Sequence, residues 1–342
     1  MKYPTLFLLL LGIVTSYSPE ELQQMYREKK IEYNMNFPRS RTDEKDHFLE
    51  FCNFANMVEK HNREDGSEWQ GEINEFAMMT EAERNRYRGL NISSPLEKMK
   101  GRISVKKRKV VADLRAESDS VDYTDKLPPV KNQGYCGSCW TFGAVAPLEY
   151  QLGRKTKTIT ALSEQQYLDC VYESGTWDGC RGGWPGDCYD WTKQNRHMIA
   201  TLEDYPYMGR DSECRKDVKS AIKGYKVKGY RMIPRSATDV FSAVSDPKIG
   251  VLVGAVGVLD TFFSYKSGIY SGSRSECKEV NHAVNIVGYG TLNGLPYWKL
   301  RNSWGPKWGE EGYMRITRGT DMCSIERYAH YPLFRKKEQE TE

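Results

Sequence analysis

Apolar positions along the 342-residue chain are spaced differently from one stretch to the next. The chain opens with an unbroken apolar run, Leu6-Phe7-Leu8-Leu9-Leu10-Leu11-Gly12-Ile13-Val14, behind the basic Lys2 and ahead of the small Thr15 and Ser16. That order predicts a cleaved secretory signal over residues 1–17, too short to span a membrane. Residues from about 19 to about 115 are polar and charged, with amphipathic helical spacing in which Phe48, Phe51, Ala55, Val58 and Asn62 form one stripe. From about 120 to 225 the pattern is helix-rich, and from about 225 to 335 it becomes short strand-like runs between glycine turns. Leu162-Ser163-Glu164-Gln165-Gln166 predicts a helix start, with Ser163 as cap and Gln166 completing a capping box. A long helix is expected from Cys139, kinked by Pro147 about two turns in, because proline supplies no N–H to the helix ladder.

Composition narrows the class. A formal charge of +4 is mild, and the most basic run, Lys106-Lys107-Arg108-Lys109, reads in a secreted chain as an exposed cleavable stretch. No nucleic-acid partner is expected. No later stretch reaches the roughly 18 apolar residues of a membrane span. Nine cysteines in a secretory chain are compatible with disulfides, although composition leaves their connectivity open. Zinc is the rival use of cysteine, but Cys136-x-x-Cys139 has no second pair at zinc-finger spacing, so no metal or cofactor is expected. Cys188 lies in the helix-like Asp187-Cys188-Tyr189-Asp190-Trp191 and is expected to be a buried structural thiol, with Cys52 also unpaired. Asn91-Ile92-Ser93 is the only glycosylation sequon.

The chemistry concentrates in Gln133-Gly134-Tyr135-Cys136-Gly137-Ser138-Cys139-Trp140. It places a thiol at the start of an apolar helical run, where free N–H groups and the helix dipole favour thiolate. A nucleophilic cysteine needs a base, and the base an orienting group. Among five histidines, His282 stands in Val280-Asn281-His282-Ala283-Val284, ahead of the strand-like Asn285-Ile286-Val287-Gly288-Tyr289-Gly290. A further strand-like run, Tyr297-Trp298-Lys299-Leu300, leads to Arg301-Asn302-Ser303-Trp304-Gly305.

Cys136-Gly137-Ser138-Cys139-Trp140 resembles the C-G-[SA]-C-[WY] signature of the papain-like cysteine proteases. His282 and Asn302 follow Cys139 by about 143 and about 163 residues, against roughly 130–150 in the family. The resemblance implies Cys139 as nucleophile, His282 as acid and base, Asn302 orienting the imidazole, and Gln133 as oxyanion donor with the Cys139 N–H. It implies Trp304 shielding the Asn302–His282 hydrogen bond. It also implies disulfides Cys136–Cys180, Cys170–Cys214 and Cys277–Cys323, with Cys139 free. The substrate subsites would be built by Gly182, Gly183, Trp184, Pro185, Gly254, Val280, Ala283 and Tyr328. In this reading Gly182 and Gly183 pair with substrate backbone, Tyr328 closes the floor of an apolar pocket, and Gly254 widens one wall.

The resemblance extends weakly upstream. The family's prosegment carries an interspersed E-R-F-N-I-N pattern, which Phe51, Val58 and Asn62 match, while Asp43, His47 and Phe54 depart from it. Glu72-Ile73-Asn74-Glu75-Phe76-Ala77-Met78 keeps Asn74 and Phe76 of a second prosegment element. The expected organisation is therefore a signal peptide at 1–17, an inhibitory helical propeptide at 18–116 and a peptidase domain at 117–342. The fold class implied is α+β, papain-like and two-domain, with a mainly helical half at 117–225 and a mainly β, barrel-like half at 226–342. Expected partners are protein or peptide substrates, the chain's own propeptide as inhibitor, and cystatin-type inhibitors, with a monomeric mature form. The expected location is lysosomal or extracellular. Two other classes, a silent binding homologue and a transglutaminase-like acyl transferase, are disfavoured by the intact Cys139, His282, Asn302 and Gln133 and by the cysteine pattern.

Overall fold

A computed structural model describes residues 17–35, 41–92, 120–173, 179–195, 198–272, 277 and 279–337. The apolar run at residues 6–14, the basic run at 106–109, most of the expected signal peptide and the predicted 116/117 boundary lie outside these residues, as does the Asp43 side chain. The chain divides into two compact units, Met1–Asn85 with Asp260–Gly268, and Arg86–Leu259 with Ile269–Glu342.

In the first unit, helix α1 (Pro19–Glu32) starts on Ser18, whose Oγ accepts the Glu21 N–H while Glu21 accepts the Ser18 N–H in return. Helix α2 (Arg41–Asn62) buries the predicted stripe. Phe48, Phe51, Ala55 and Val58 are buried, and Tyr26 of α1 lies edge-on to both Phe48 and Phe51. Asn62 ends the stripe by bonding backbone rather than packing, its amide pairing both ways with Gly71 of strand β1 (Trp69–Gly71). β1 runs antiparallel to Tyr265–Gly268. Asn74 donates to the Phe263 carbonyl at 2.8 Å, and Phe76 packs on the Phe263 ring. These two residues thus anchor their loop to the 260–268 segment of the same unit. His47 meets Glu83 at 2.9 Å, and Glu50 meets Arg84 at 2.8 Å.

The second unit sets several helices, three of them near the site and a further one at Ala237–Ser245, beside a sheet. Helix α3 (Cys139–Thr156) is buried from Cys139 to Leu152. Helix α4 (Glu164–Glu173) and helix α5 (Pro185–Gln194) follow it. Strands β2 (Val121–Asp122), β3 (Tyr225–Met232), β4 (Leu252–Val256), β5 (Tyr265–Tyr270, of which Ile269 and Tyr270 belong to this unit), β6 (His282–Leu292), β7 (Leu295–Arg301), β8 (Tyr313–Thr317) and β9 (His330–Lys336) form the sheet. Their order is β5-β8-β7-β6-β4-β9-β3, with β2 on β6, and every pairing but β5/β8 is antiparallel. Among the described residues the order is open, with β3 at an edge, so the barrel-like half does not close there. Disulfides Cys136–Cys180, Cys170–Cys214 and Cys277–Cys323 are formed, while Cys52, Cys139 and Cys188 are free and buried. Among the described residues no helix is long and apolar enough to cross a membrane.

One local expectation is corrected. Ser163 caps α4 by accepting the Gln166 N–H at 3.0 Å, but the Gln166 side chain accepts instead from the Ala200 N–H at 2.7 Å, so the capping box is only half formed. Pro147 sits inside a helix that continues through it. Proline leaves the carbonyl four residues earlier, Gly143 O, without its helical donor. Asn285 of β6 supplies one, its Nδ2 lying 2.8 Å from Gly143 O and 3.2 Å from Leu252 O. The strand bearing His282 is therefore tied to the helix bearing Cys139. We expect Asn285→Leu to lower unfolding stability by about 2 kcal/mol, since it orphans a buried carbonyl. In a Pro147→Ala background the loss should be less than half as large, because alanine restores the missing N–H to the helix. Urea denaturation of the four proteins measures that coupling, and equal losses in both backgrounds would refute it.

Candidate active site

The helix start is held from three sides. The Gln133 N–H donates to Ser303 O at 2.8 Å, the Gly137 N–H donates to Cys180 O at 2.7 Å, and the Cys136–Cys180 bridge joins the same two segments. Cys139 is then the first helical residue, and its Sγ accepts the Ala283 N–H at 3.5 Å. That contact brings the thiol to the residue following His282.

His282 opens β6 opposite Val256 of β4. Its Nε2 is 2.8 Å from Asn302 Oδ1, which also accepts the Ser303 N–H at 2.8 Å. Trp304 covers this pair with its ring 4.8 Å from the imidazole, and His282, Asn302 and Trp304 are all buried. Gln133 sits alongside. Its Oε1 accepts from Ser303 Oγ at 2.6 Å, and its Nε2 donates to Cys136 O at 2.8 Å and to Tyr87 O at 3.3 Å. One amide hydrogen thus holds the loop, leaving the other for a carbonyl presented to the site.

That carbonyl closes a short 3-10 turn, Asn85–Tyr87, after which residues 88–92 run on along the site. Gly183 N–H donates to Gly89 O at 2.9 Å, Asn91 N–H donates to Gly183 O at 3.1 Å, and Leu90 N–H donates to Asn281 O at 3.0 Å. Leu90 pairs with Gly183 in parallel sense. Gly183 has to be glycine here, because a Cβ would lie 2.6 Å from the Trp140 ring beneath it. Asn91, the sequon residue, lies on this segment with its side chain exposed. Among the described residues, no group of three or more His, Cys, Asp and Glu side chains is placed to hold a metal ion.

The subsite residues divide. Leu90 is buried in an apolar cluster that includes Cys139, Trp140, Ala283 and Tyr328, with Val280 packed against it. Tyr328 is buried with the Arg235 guanidinium 5.4 Å above its ring. Trp184 is fully buried and stacks on His330 at 4.8 Å, and Pro185 opens α5. Gly182 adopts a positive φ just before Gly183. Gly254 does not widen the pocket. A Cβ there would lie 2.8 Å from Ile325 Cδ1 and 3.3 Å from Ile286 Cγ1, so it faces the opposite side of β4. Successive strand residues alternate faces, and it is Ala255, paired with Ala283, that belongs to the cluster holding Leu90. Ser303, Asn281 and Gly89 were missed by sequence reasoning; only Ser303, adjoining Asn302, carried a signal.

The electrostatics follow from this cover. Burial pushes the Cys139 thiol up to about 11, against the N–H groups of Ala283, Gly89, Trp140 and its own backbone. Burial pulls the His282 imidazole down to about 4, with a further push from the Arg88 charge, while the Asn302 side chain and the Tyr87 backbone oppose it. With residues 86–92 in place, both groups are neutral.

The chain is 39% identical to mouse pro-cathepsin H over 221 residues, 63% of this chain and 64% of that protein. It is 38% identical to mouse cathepsin K over 217 residues, again 63% and 64%. The match thus spans less than two thirds of the length of these two relatives. Among solved structures, the digestive procathepsin L2 proteinase from the larval midgut of Tenebrio molitor superposes with a TM-score of 0.80 at 31% identity, covering 91% of this chain and 99% of that one. Residues 116–333, which carry Gln133, Cys139, His282 and Asn302, match the papain family cysteine protease family, and the chain belongs to that family.

Proposed function

We propose that the chain is a cysteine endopeptidase made as a latent zymogen in the secretory pathway, with its mature form lysosomal or extracellular. Cys139 Sγ attacks the scissile carbonyl, and the oxyanion is held by the Gln133 amide and the Cys139 N–H. His282 protonates the leaving amine, then draws a proton from water as that water hydrolyses the thioester. Asn302 holds the imidazole, and Trp304 keeps their hydrogen bond dry. The observation that carries this reading is the Tyr87 carbonyl on Gln133 Nε2, beside a thiol at a helix start and a His282–Asn302 pair. A peptide carbonyl already occupies the donor that an oxyanion would use. Gly183, paired with Leu90, is read as the backbone that a substrate strand would meet. The apolar surroundings of Leu90 support an apolar side chain in the neighbouring pocket, with Ala255 replacing Gly254 in its wall.

Latency in this reading is pH-dependent with a definite sign. His282 is held near 4 while covered, below its ordinary 6.5. Above 6.5 both covered and uncovered forms are neutral and cover is retained. As pH falls from 6.5 toward 4 only the uncovered form takes up the proton, so acid favours release by about 3 kcal/mol at the limit. The full chain should therefore label slowly with an epoxide probe at pH 7 and at least tenfold faster near pH 4.5. Intact mass after acidification tests both claims. An adduct on Cys139 is expected, and no adduct at any pH on a folded chain would overturn the proposed activity.

A further inference from the structure

Behind the catalytic pair lies a buried carboxylate that the proposed mechanism leaves unused. Lys131 Nζ donates to Glu149 Oε1 at 2.8 Å, to Glu164 Oε1 at 2.6 Å and to Leu162 O at 3.0 Å. Glu149 Oε1 also accepts the Leu162 N–H at 2.9 Å. One ammonium thus serves two carboxylates, and both are about 2% exposed. Between this cluster and the catalytic pair is a cavity with about 10 Å³ of free volume, lined by Lys131, Glu164, Asn285, Arg301, Asn302 and Ser303. That is room for one water in polar surroundings. Among the described residues, two buried polar atoms of its lining, Asn302 Nδ2 and Glu164 Oε2, have no hydrogen-bond partner. Buried polar groups are ordinarily satisfied, by protein or by ordered water.

We propose that one buried water joins Asn302 Nδ2 to Glu164 Oε2, making Glu164 a positioning residue for the His282–Asn302 pair. The water donates to the carboxylate and so presents a lone pair to Asn302. Only the NH₂ side of the amide meets that lone pair, so Oδ1 is turned toward His282 and Ser303, where it lies in the structure. Donation through Nδ2 also polarises the amide and strengthens Oδ1 as an acceptor. Burial raises the Glu164 carboxyl to about 7, with Glu149 adding to the rise and Lys131 opposing it. The other charged groups facing it are accounted for, since Arg301 is engaged by the Pro128 and Pro129 carbonyls. In the alkaline range the carboxylate is ionised and its charge favours the imidazolium.

The kinetic test rests on the protease reading, while the structural one does not. Enzyme released by acidifying the full chain would be titrated for thiol alkylation against pH, alongside Glu164→Gln. The variant keeps the size and the Lys131 contact but loses the charge and the direction of the hydrogen-bond chain. The expected result is an alkaline limb displaced at least half a pH unit downward, with kcat about tenfold lower and KM within twofold. A role confined to burying Lys131 would lower Tm and leave that limb in place, and this outcome overturns the proposal. If Glu164→Gln fails to fold, or the wild type fails to alkylate, a crystal structure of the wild-type full chain decides. A water within hydrogen-bond distance of both atoms is expected, and its absence from well-resolved density overturns the proposal.

Discussion

Cys139→Ala should leave a folded chain whose peptide hydrolysis is lower by at least about 10⁴-fold, measured as kcat on an enzyme freed of residues 86–92 by added protease. The size of the loss follows from how the site is assembled. Cys139 Sγ lies against the Ala283 N–H, and no other free thiol among the described residues is near it in the chain: Cys188 is in α5 and Cys52 in α2. Burial alone pushes the Cys52 thiol up to about 12, and the Cys188 thiol is raised well above the ordinary range, with burial the larger cause and Asp187 the lesser. Neither could substitute as a thiolate near neutral pH. Because the imidazole acts only on what the sulfur has begun, His282→Ala should cost about as much as Cys139→Ala, and the double variant no more than either. Additive losses would mean that the two residues serve separate steps. A residual rate within tenfold of wild type would point to a different nucleophile. Near-ultraviolet circular dichroism should be unchanged, since the substitution removes one sulfur and leaves the backbone contacts of Gln133 and Gly137 intact.

The residues nominated from sequence for this chemistry come together in space because each is tied to a short local motif. A helix start after paired glycines, a strand beginning at His282 and a turn after Asn302 are readable without tertiary information. What was not legible is nonlocal. The freed carbonyl of Gly143 inside the Pro147-containing helix is satisfied by Asn285, 142 residues later, a donor that no local rule identifies. Gln166 left its own cap for the Ala200 N–H, which no capping pattern could reveal. Gly254 was misplaced by one residue along β4, and in a strand one residue is the difference between the two faces. Residues 86–92 were invisible for a further reason. The segment has no periodicity to recognise, and although Gly183 is read as a backbone-pairing position, nothing in the sequence says that residues 89–91 are what it meets, nor that Asn281 has a partner. The same holds for Glu164, whose place behind Asn302 depends on α4 and β7 bringing opposite ends of the cavity together.

Gly89→Ala should free the covered thiol at neutral pH. A Cβ on residue 89 would lie 1.8 Å from Gly137 O and 2.3 Å from Gly137 C, both backbone atoms, so no rotamer relieves the overlap. Gly137 cannot retreat, because its own N–H is bonded to Cys180 O and its neighbour Cys136 is bridged to Cys180. The segment must lift, and with it go the Gly89 O and Asn91 N–H bonds to Gly183 and the Tyr87 carbonyl on Gln133. Uncovering the thiol lets its pKa fall from about 11 at least to the ordinary 9.0. Two pH units correspond to about 100-fold more thiolate at pH 7, before any pairing with a protonated His282 is counted. Epoxide labelling of the intact, unshortened chain should accelerate by at least that factor. The advantage should shrink as pH falls toward 4, because proton uptake by His282 uncovers the wild type as well. An unchanged labelling rate at pH 7, with the variant folded, would show that something other than residues 86–92 holds the thiol neutral. Equal acceleration at every pH would separate cover from protonation and remove His282 as the acid-sensitive group.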